Sequence, residues 1–338
     1  MTDREEPTSN DAQTSTPEAI PTPELTALTH PAEGVPSVVT DTPGLAEVIA
    51  ALTQGTGPIA IDAERAGGYR YSHSAYLVQL RRTGSGSHLI DPIGFTDLVP
   101  LAEVIADEEW ILHAASQDLP CLAELQMLPS RLFDTEMAAR ILGRPKVGLA
   151  ALAESELGVS LAKEHSAADW STRPLPEAWL RYATLDVELL IELRSILAED
   201  LESTGRMPWA VEEFEFLRTA PARAPRVDPW RRTSGIHKVR TARGLEIARQ
   251  LWQARDAMAQ QRDIAPGRVL PDAAIAAAAA ARPTTRAQLG ALPAFSGRGT
   301  KRRIDYWWQA VDTANQTAEG DLPNAAAATT GPPPPRSW

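Results

Sequence analysis

Seven residues constrain this chain more than any others: Pro58-Ile59-Ala60-Ile61-Asp62-Ala63-Glu64, an apolar run ending in two carboxylates with one small residue between them. β-Branched Ile59 and Ile61, bounded by Gly57 and by Gly67-Gly68, predict a buried strand. Successive side chains on a strand point to opposite faces, so Asp62 and Glu64 share one face. Two like charges side by side at the end of a buried strand raise each other's pKa unless a cation lies between them. Divalent cations such as Mg2+ and Mn2+, which take oxygen ligands, are the usual solution. A strand end that reaches water, with both carboxylates hydrated, reads the same way in isolation. What separates the two readings is whether further carboxylates arrive downstream in the right places.

The organisation around this strand follows from pattern. The 338 residues leave room for two domains. Residues 1–34, rich in Thr, Pro, Glu and Ser without apolar period, are expected to form a disordered tail. From 35 to 205 strands and helices alternate. Val35–Val39 predicts a short strand and Thr42-Pro43 opens a helix. After the Asp62 strand, Ala75–Leu80 and His88–Asp91 predict strands joined by a hairpin turn at Gly84–Ser87. Trp110–His113 is a further strand, Phe133-Asp134-Thr135 opens a helix, and Pro176 opens a long one to about Ser203. Three consecutive strands followed by alternation describe an α/β layer with an antiparallel portion. Residues 206–234 carry Pro and Arg without clear period and read as a linker. Residues 235–312 show helical spacing throughout, predicting a small all-α domain. Residues 313–338 turn to Ala, Thr, Gly and Pro and read as a second disordered tail.

Composition narrows the partners. No uninterrupted apolar run reaches the roughly 18 residues needed to span a bilayer, and the N-terminus lacks a basic stretch followed by an apolar one, so neither membrane nor secretory leader is expected. The single cysteine, Cys121, allows no intrachain disulfide and fits a cytoplasmic location. Within its helical pattern it reads as a small buried hydrophobe. Residues 1–205 hold 13 Lys+Arg against 32 Asp+Glu, whereas 206–338 hold 20 against 12. A basic half joined to an acidic half suggests division of labour, and nucleic acid is the commonest polyanion met by such a module.

Two more carboxylate elements follow. In His113-Ala114-Ala115-Ser116-Gln117-Asp118 a strand ends and a helix begins, which puts Asp118 in the first helical turn, where an anion is favoured. In Tyr182-Ala183-Thr184-Leu185-Asp186, on the long helix, Tyr182 and Asp186 share one face at i and i+4. Alone, the first reads as an ordinary helix-start aspartate and the second as a core tyrosine beside a surface carboxylate.

Together the order is Asp-x-Glu on a strand, Asp after a strand, then Tyr-x-x-x-Asp on a helix. This resembles the DEDD superfamily of 3′–5′ exonucleases, in its tyrosine branch. The segments His113–Pro120, Phe133-Asp134-Thr135 and Asp169–Leu175 are similar to those of ribonuclease D. The Gly235–Val311 unit, with its Leu270-Pro271-Asp272, resembles the HRDC (helicase and ribonuclease D, C-terminal) domain. The resemblance spans about residues 35–311. It implies a ribonuclease H-like mixed-sheet exonuclease domain at 35–205, followed by a small all-α HRDC domain at 235–312. It also implies phosphodiester hydrolysis with two divalent metal ions, Mg2+ or Mn2+, held by Asp62, Glu64, Asp118 and Asp186. By the same resemblance Asp62 bridges the ions, Glu64 and Asp186 serve the one that delivers water, Asp118 supports the other, and Tyr182 orients the water. A tyrosine with a pKa of about 10 is a poor base at neutral pH, which agrees with a positioning role. The implied enzyme is a 3′–5′ exoribonuclease releasing 5′-mononucleotides while trimming transfer-RNA precursors or other structured RNA, as a monomer in the cytoplasm.

Departures from the family pattern leave questions to the structure. The best-known bacterial members carry two HRDC domains, and this chain has room for one, which bears on substrate preference. Arg65 follows Glu64, where an uncharged residue is expected; it could contact phosphate or face solvent. Lys163 and Arg173 flank Trp170 and are read as phosphate contacts, against the alternative of a solvated surface. Trp170 reads as packing and His113 as hydrogen-bonded support. Arg298, Lys301, Arg302 and Arg303 form the densest basic cluster, next to Tyr306, Trp307 and Trp308, and are expected to bind nucleic acid. Two competing functions remain open: a nucleic-acid-binding protein on an inactive nuclease scaffold, and a 3′–5′ exonuclease acting on DNA. The complete carboxylate set argues against the first, and the absence of a polymerase domain against the second.

Overall fold

The computed structural model describes residues 25–161, 165, 167–221, 224 and 226–324. In chain order its elements are β1 (Thr26–Leu28), β2 (Val38–Val39), α1 (Thr42–Gln54), β3 (Thr56–Arg65), β4 (Ala75–Thr83), β5 (Gly86–Ile90), α2 (Val99–Ile105), β6 (Glu109–Leu112), α3 (Leu119–Glu124), β7 (Arg131–Asp134), α4 (Thr135–Leu142), α5 (Leu149–Leu152), β8 (Val159–Leu161), α6 (Glu177–Glu188), α7 (Leu190–Ser203) and α8 (Met207–Thr219). A helical unit follows: α9 (Ala242–Arg262), α10 (Pro266–Val269), α11 (Asp272–Ala281), α12 (Arg286–Ala291), α13 (Arg298–Arg302) and α14 (Ile304–Gln316). Among the described residues no helix is long and apolar enough to cross a membrane.

The first unit is built on a six-stranded mixed sheet of order β2-β5-β4-β3-β6-β7. β3, β4 and β5 form the antiparallel meander expected from three consecutive strands, and β6 and β7 add in parallel on the other side of β3. Parallel addition requires a crossover, and the helices between these strands provide it. β3 therefore lies in the middle of the sheet, with Ile59, Ala60 and Ile61 fully buried. Local chemistry sets the helix starts. Asp41 caps α1 by accepting from the Gly44 N–H at 2.9 Å, and Leu45, Val48 and Leu52 bury its inner face. α4 ends at Gly143, whose φ of 78° no β-carbon favours, with its N–H turned back to Ala139 and Arg140 carbonyls.

The helical unit has its own core, in which Leu251, Leu270, Ile275, Phe295 and Trp307 are buried around α9, α11 and α14. The expected fold class, a mixed α/β layer followed by an all-α unit, is the one found.

Several boundaries move. Residues 25–34, expected in a disordered tail, include β1, which pairs with β8. The expected linker at 206–234 contains α8, whose Ala210 and Phe214 are buried in the first core, with the Phe214 ring 4.9 Å from that of Phe133. Exposed Trp209, Val211 and Phe216 spread apolar residues around α8 and hid its period. Trp230, also in that linker, is buried in the second core. The tail expected from 313 begins inside α14, which runs to Gln316 with Ala314 buried. The single long helix expected from Pro176 is two, α6 and α7, meeting at Leu189.

Candidate active site

Asp62 and Glu64 lie two residues apart on β3, opposite Gln79 and Leu77 of β4. α6 packs across this part of the sheet. It brings Asp186 to the pair, so that one carboxylate oxygen from each of Asp62, Glu64 and Asp186 lies within 4.8 Å of the others. Burial drives the electrostatics. Desolvation raises the Asp62 carboxyl to about 6, although the Ala63 N–H and the Arg65 charge pull it down. Glu64 is held well above its ordinary value, by burial and then by the charges of Asp62, Asp186 and Asp118. Asp186 is raised by burial and by Asp62. Three hard oxygen donors that repel one another in a desolvated site match the ligand set of a divalent cation, so these residues fit such an ion.

Asp118 lies near enough for its charge to act on Asp62 and Glu64, although it is outside the three-carboxylate cluster. It stands at the start of α3, after a turn in which Ala114 adopts φ 57°, a left-handed conformation. Asp134, at the end of β7, holds that turn: its carboxylate accepts from the N–H groups of Ala114 at 3.1 Å and Ala115 at 2.8 Å, and also from Glu136 and Met137 of α4. The neighbouring Thr135 hydroxyl bonds His113 Nδ1 at 2.9 Å. His113 is thus the expected structural support, and burial lowers its pKa to about 4, keeping the ring neutral. Asp118 is raised by burial and by Asp62. Its Oδ1 lies 3.3 Å from Nη2 of Arg65, which settles the Arg65 question in a third way: the guanidinium pairs with a carboxylate of the site.

Asp134 was missed as a site residue because its partners at Ala114 and Ala115 are backbone groups about twenty positions away in the chain. Asp134→Ala removes four hydrogen bonds to buried or half-buried N–H groups. It is expected to lower unfolding free energy by about 2–4 kcal/mol and kcat at least tenfold, since the turn carrying Asp118 loosens. Urea unfolding and single-turnover rates check this; an unchanged rate in the folded variant would uncouple Asp134 from the site. Gln79 was also missed. It is fully buried, cross-strand from Asp62, and neither of its amide atoms has a hydrogen-bond partner among the described residues.

Tyr182 and Asp186, both half-buried on α6, line the same cavity. Burial first, then the charges of Asp186 and Glu64, push its phenol far above the ordinary value, so it is a hydrogen-bond donor and not a base. Trp170 is fully buried, its ring 5.3 Å from Trp179 and 6.5 Å from Tyr182, in the packing role expected. A cavity of about 640 Å3 opens beside Tyr182, Leu185 and Asp186. A second cleft, of about 400 Å3, is lined by Glu64, Arg65, Gly67, Gly68 and His73.

The expected nucleic-acid contacts fare unevenly. Lys163 lies outside the described residues. Arg173 is corrected: its guanidinium bonds both Asp91 oxygens, at 2.5 and 2.8 Å, and the carbonyls of Tyr76, Trp170 and Thr172. With its donors committed to the fold, it clamps the Trp170 loop to the sheet and has none left for a phosphate. Arg298, Lys301 and Arg302 are exposed on α13, Arg303 is half-buried, and none of the four forms an ion pair among the described residues. Beside them Trp307 is fully buried and the Tyr306 hydroxyl bonds the Ala254 carbonyl at 2.8 Å, so these two aromatics close the core.

Residues 36–202 match the family model described as 3′–5′ exonuclease, and residues 244–311 match that of the HRDC domain. Ribonuclease D of Escherichia coli is 32% identical over 273 residues, covering 78% of this chain and 71% of its own. Among solved structures, a protein from Bifidobacterium adolescentis is 39% identical with a TM-score of 0.84, covering 89% of this chain and 79% of that one. The Escherichia coli RNase D structure, described as an exoribonuclease involved in structured RNA processing, is 30% identical with a TM-score of 0.68, covering 86% and 77%.

Proposed function

The chain belongs to the ribonuclease D family of 3′–5′ exoribonucleases, and we propose that it works with two divalent ions, Mg2+ or Mn2+, releasing 5′-mononucleotides one at a time from RNA 3′ ends. The convergence of Asp62, Glu64 and Asp186 oxygens within 4.8 Å carries this reading. Asp62, Glu64 and Asp186 would hold one ion, and Asp118 with Asp62 the second. Such ions supply activation of water and stabilisation of the leaving oxygen in an in-line displacement. The residues do the rest. Glu64 and Asp118 are buried and Asp62 and Asp186 half-buried, which limits the screening of their charge by bulk water. Tyr182, held protonated with its hydroxyl donating to Asp186, offers its oxygen as the acceptor that fixes the approach of the attacking water. Asp134 and Thr135 keep the Asp118 turn in place.

The substrates are 3′ ends of transfer-RNA precursors and other structured RNAs, handled by a monomer in the cytoplasm. The test is incubation of 3′-extended transfer RNA and matched single-stranded DNA with Mg2+ or Mn2+. A ladder of shortened RNA with 5′-mononucleotide products supports the reading. No hydrolysis with either ion overturns it, and faster cutting of DNA reassigns the substrate.

The α13 cluster gives longer RNA a second hold. Because Phe214 of α8 belongs to the first core, cutting the chain after Ser203 would damage the nuclease unit, so substitution is the cleaner test. Arg298→Ala/Lys301→Ala/Arg302→Ala is expected to leave hydrolysis of short oligonucleotides intact and to weaken binding of structured RNA. The slope of log affinity against log salt should become shallower by up to about 2, at roughly 0.7 per phosphate contact on a single strand. An equal slope would remove the cluster from the RNA surface.

A further inference from the structure

The segment before β2 crosses the active-site face. β1 pairs in parallel with β8, Leu28 opposite Leu161, and the Thr26 N–H bonds the Gly158 carbonyl at 3.0 Å. A two-stranded ribbon of three-residue strands is too small to hold itself, and the chain beyond it is fastened three more times. Arg181 on α6 donates to His30 Nε2 at 3.1 Å, which makes His30 Nδ1 the donor to the Thr29 hydroxyl at 3.0 Å. The Ala32 N–H bonds Glu188 at the end of α6 at 2.9 Å. Glu33 pairs with Arg81 of β4 at 3.3 Å. Thr26–Glu33 is therefore a strap tied to β8, α6 and β4, and α6 is the helix that carries Tyr182 and Asp186.

Leu28 and Thr29 of this strap line the cavity of about 640 Å3 beside the carboxylates. That volume lies within the range of small-molecule pockets, about 300–1,000 Å3. Its lining combines polar Asp186, Tyr182, Arg181 and His165 with the apolar side chains of Leu28, Leu149, Leu161 and Leu185. Leu28 is half-buried while its neighbours Ala27 and Thr29 are exposed, so within β1 it is the residue that turns inward. A nucleotide has the same division, an anionic phosphate and a flat base with apolar faces. Leucine side chains offer no groups to read base edges, which suits an enzyme that must accept each base in turn.

We propose that the strap Thr26–Glu33 is the outer wall of the pocket for the 3′-terminal nucleotide, with Leu28 against its base. The proposal rests on the exonuclease reading above and adds a binding element outside the carboxylate set. The experiment compares wild type and Leu28→Ala, as full chains, on two RNA oligonucleotides that differ only in whether the last nucleotide carries its base. A third measurement is the affinity for adenosine 5′-monophosphate with Mn2+, by calorimetry. Leu28→Ala should raise KM for the intact oligonucleotide and weaken the monophosphate about tenfold, with the smaller effect on kcat. Removing the terminal base should cost wild type a similar factor and cost the variant little more, because both changes delete the same contact. Thr26→Pro, which loses the N–H bonded to Gly158, should shift KM in the same direction while melting temperature reports folding. Unchanged KM and monophosphate affinity in folded Leu28→Ala, or full additivity with base removal, overturns the strap proposal. Failure of wild type itself to cut either oligonucleotide would instead overturn the exonuclease reading.

Discussion

Asp186→Asn is expected to abolish hydrolysis and, at the same time, to raise the melting temperature of the metal-free protein at neutral pH. Both effects come from one arrangement. Asp62, Glu64 and Asp186 are packed together and desolvated, and each carboxyl is held above its ordinary value. For Asp62 the folded value is about 6 against 3.8 for the free side chain. Between those values the folded protein keeps a proton that the unfolded chain has released. Stability of the metal-free protein therefore falls as pH rises through this window, by about 1.4 kcal/mol for each unit of pKa difference. The protein in chelator should melt higher near pH 5 than near pH 7.5, and added Mn2+ should reverse the order by neutralising the cluster. Asp186→Asn removes one of the repelling charges and one cation ligand, trading activity for stability. Asp62→Ala should likewise end hydrolysis with the fold intact. Thermal melts at the two pH values, with and without Mn2+, and product release from a labelled RNA check these outcomes. Activity in chelator, or in either variant, would falsify the metal reading.

Tyr182→Phe is expected to lower kcat by one or more orders of magnitude, with little change in KM. The ring's packing near Trp170 survives the substitution, so only the hydroxyl is lost. That hydroxyl stays protonated across the working pH range because burial and the charges of Asp186 and Glu64 oppose its ionisation. The pH–rate profile of wild type should consequently show no ascending limb from the phenol. An interaction made only as the reaction proceeds appears in kcat and leaves substrate affinity alone. Equal turnover numbers for the two proteins would reduce Tyr182 to core packing. A loss confined to KM would make it a substrate contact.

Much of this site was legible before any coordinates, because its residues sit on elements whose periods are local. Alternation along Pro58–Glu64 put Asp62 and Glu64 on one face, and β3 does carry both toward the same cluster. Helical spacing put Tyr182 and Asp186 together, and α6 keeps them on one side. The burial of Cys121 and the packing of Trp170 were likewise expected.

What pattern could not supply were contacts between residues far apart in the chain. Arg173 looked like a phosphate ligand, since a guanidinium in a polar loop has no local partner. Its carboxylate, Asp91, lies 82 positions away and is reached only when the Trp170 loop folds onto the sheet. Phe133-Asp134-Thr135 read as a helix start, and Asp134 does cap α4. That it also holds the Asp118 turn depends on β6 and β7 lying side by side. The strap is the extreme case: eight residues without a periodic signal, ordered by pairing with β8 and by bonds to α6 as many as 156 positions distant. Alternation and helical spacing are properties of a few consecutive residues and are written in the sequence itself. Pairing a guanidinium, a carboxylate or a lone strand requires a partner already held in place, and only the folded chain brings that partner near enough to repay the entropy of ordering it.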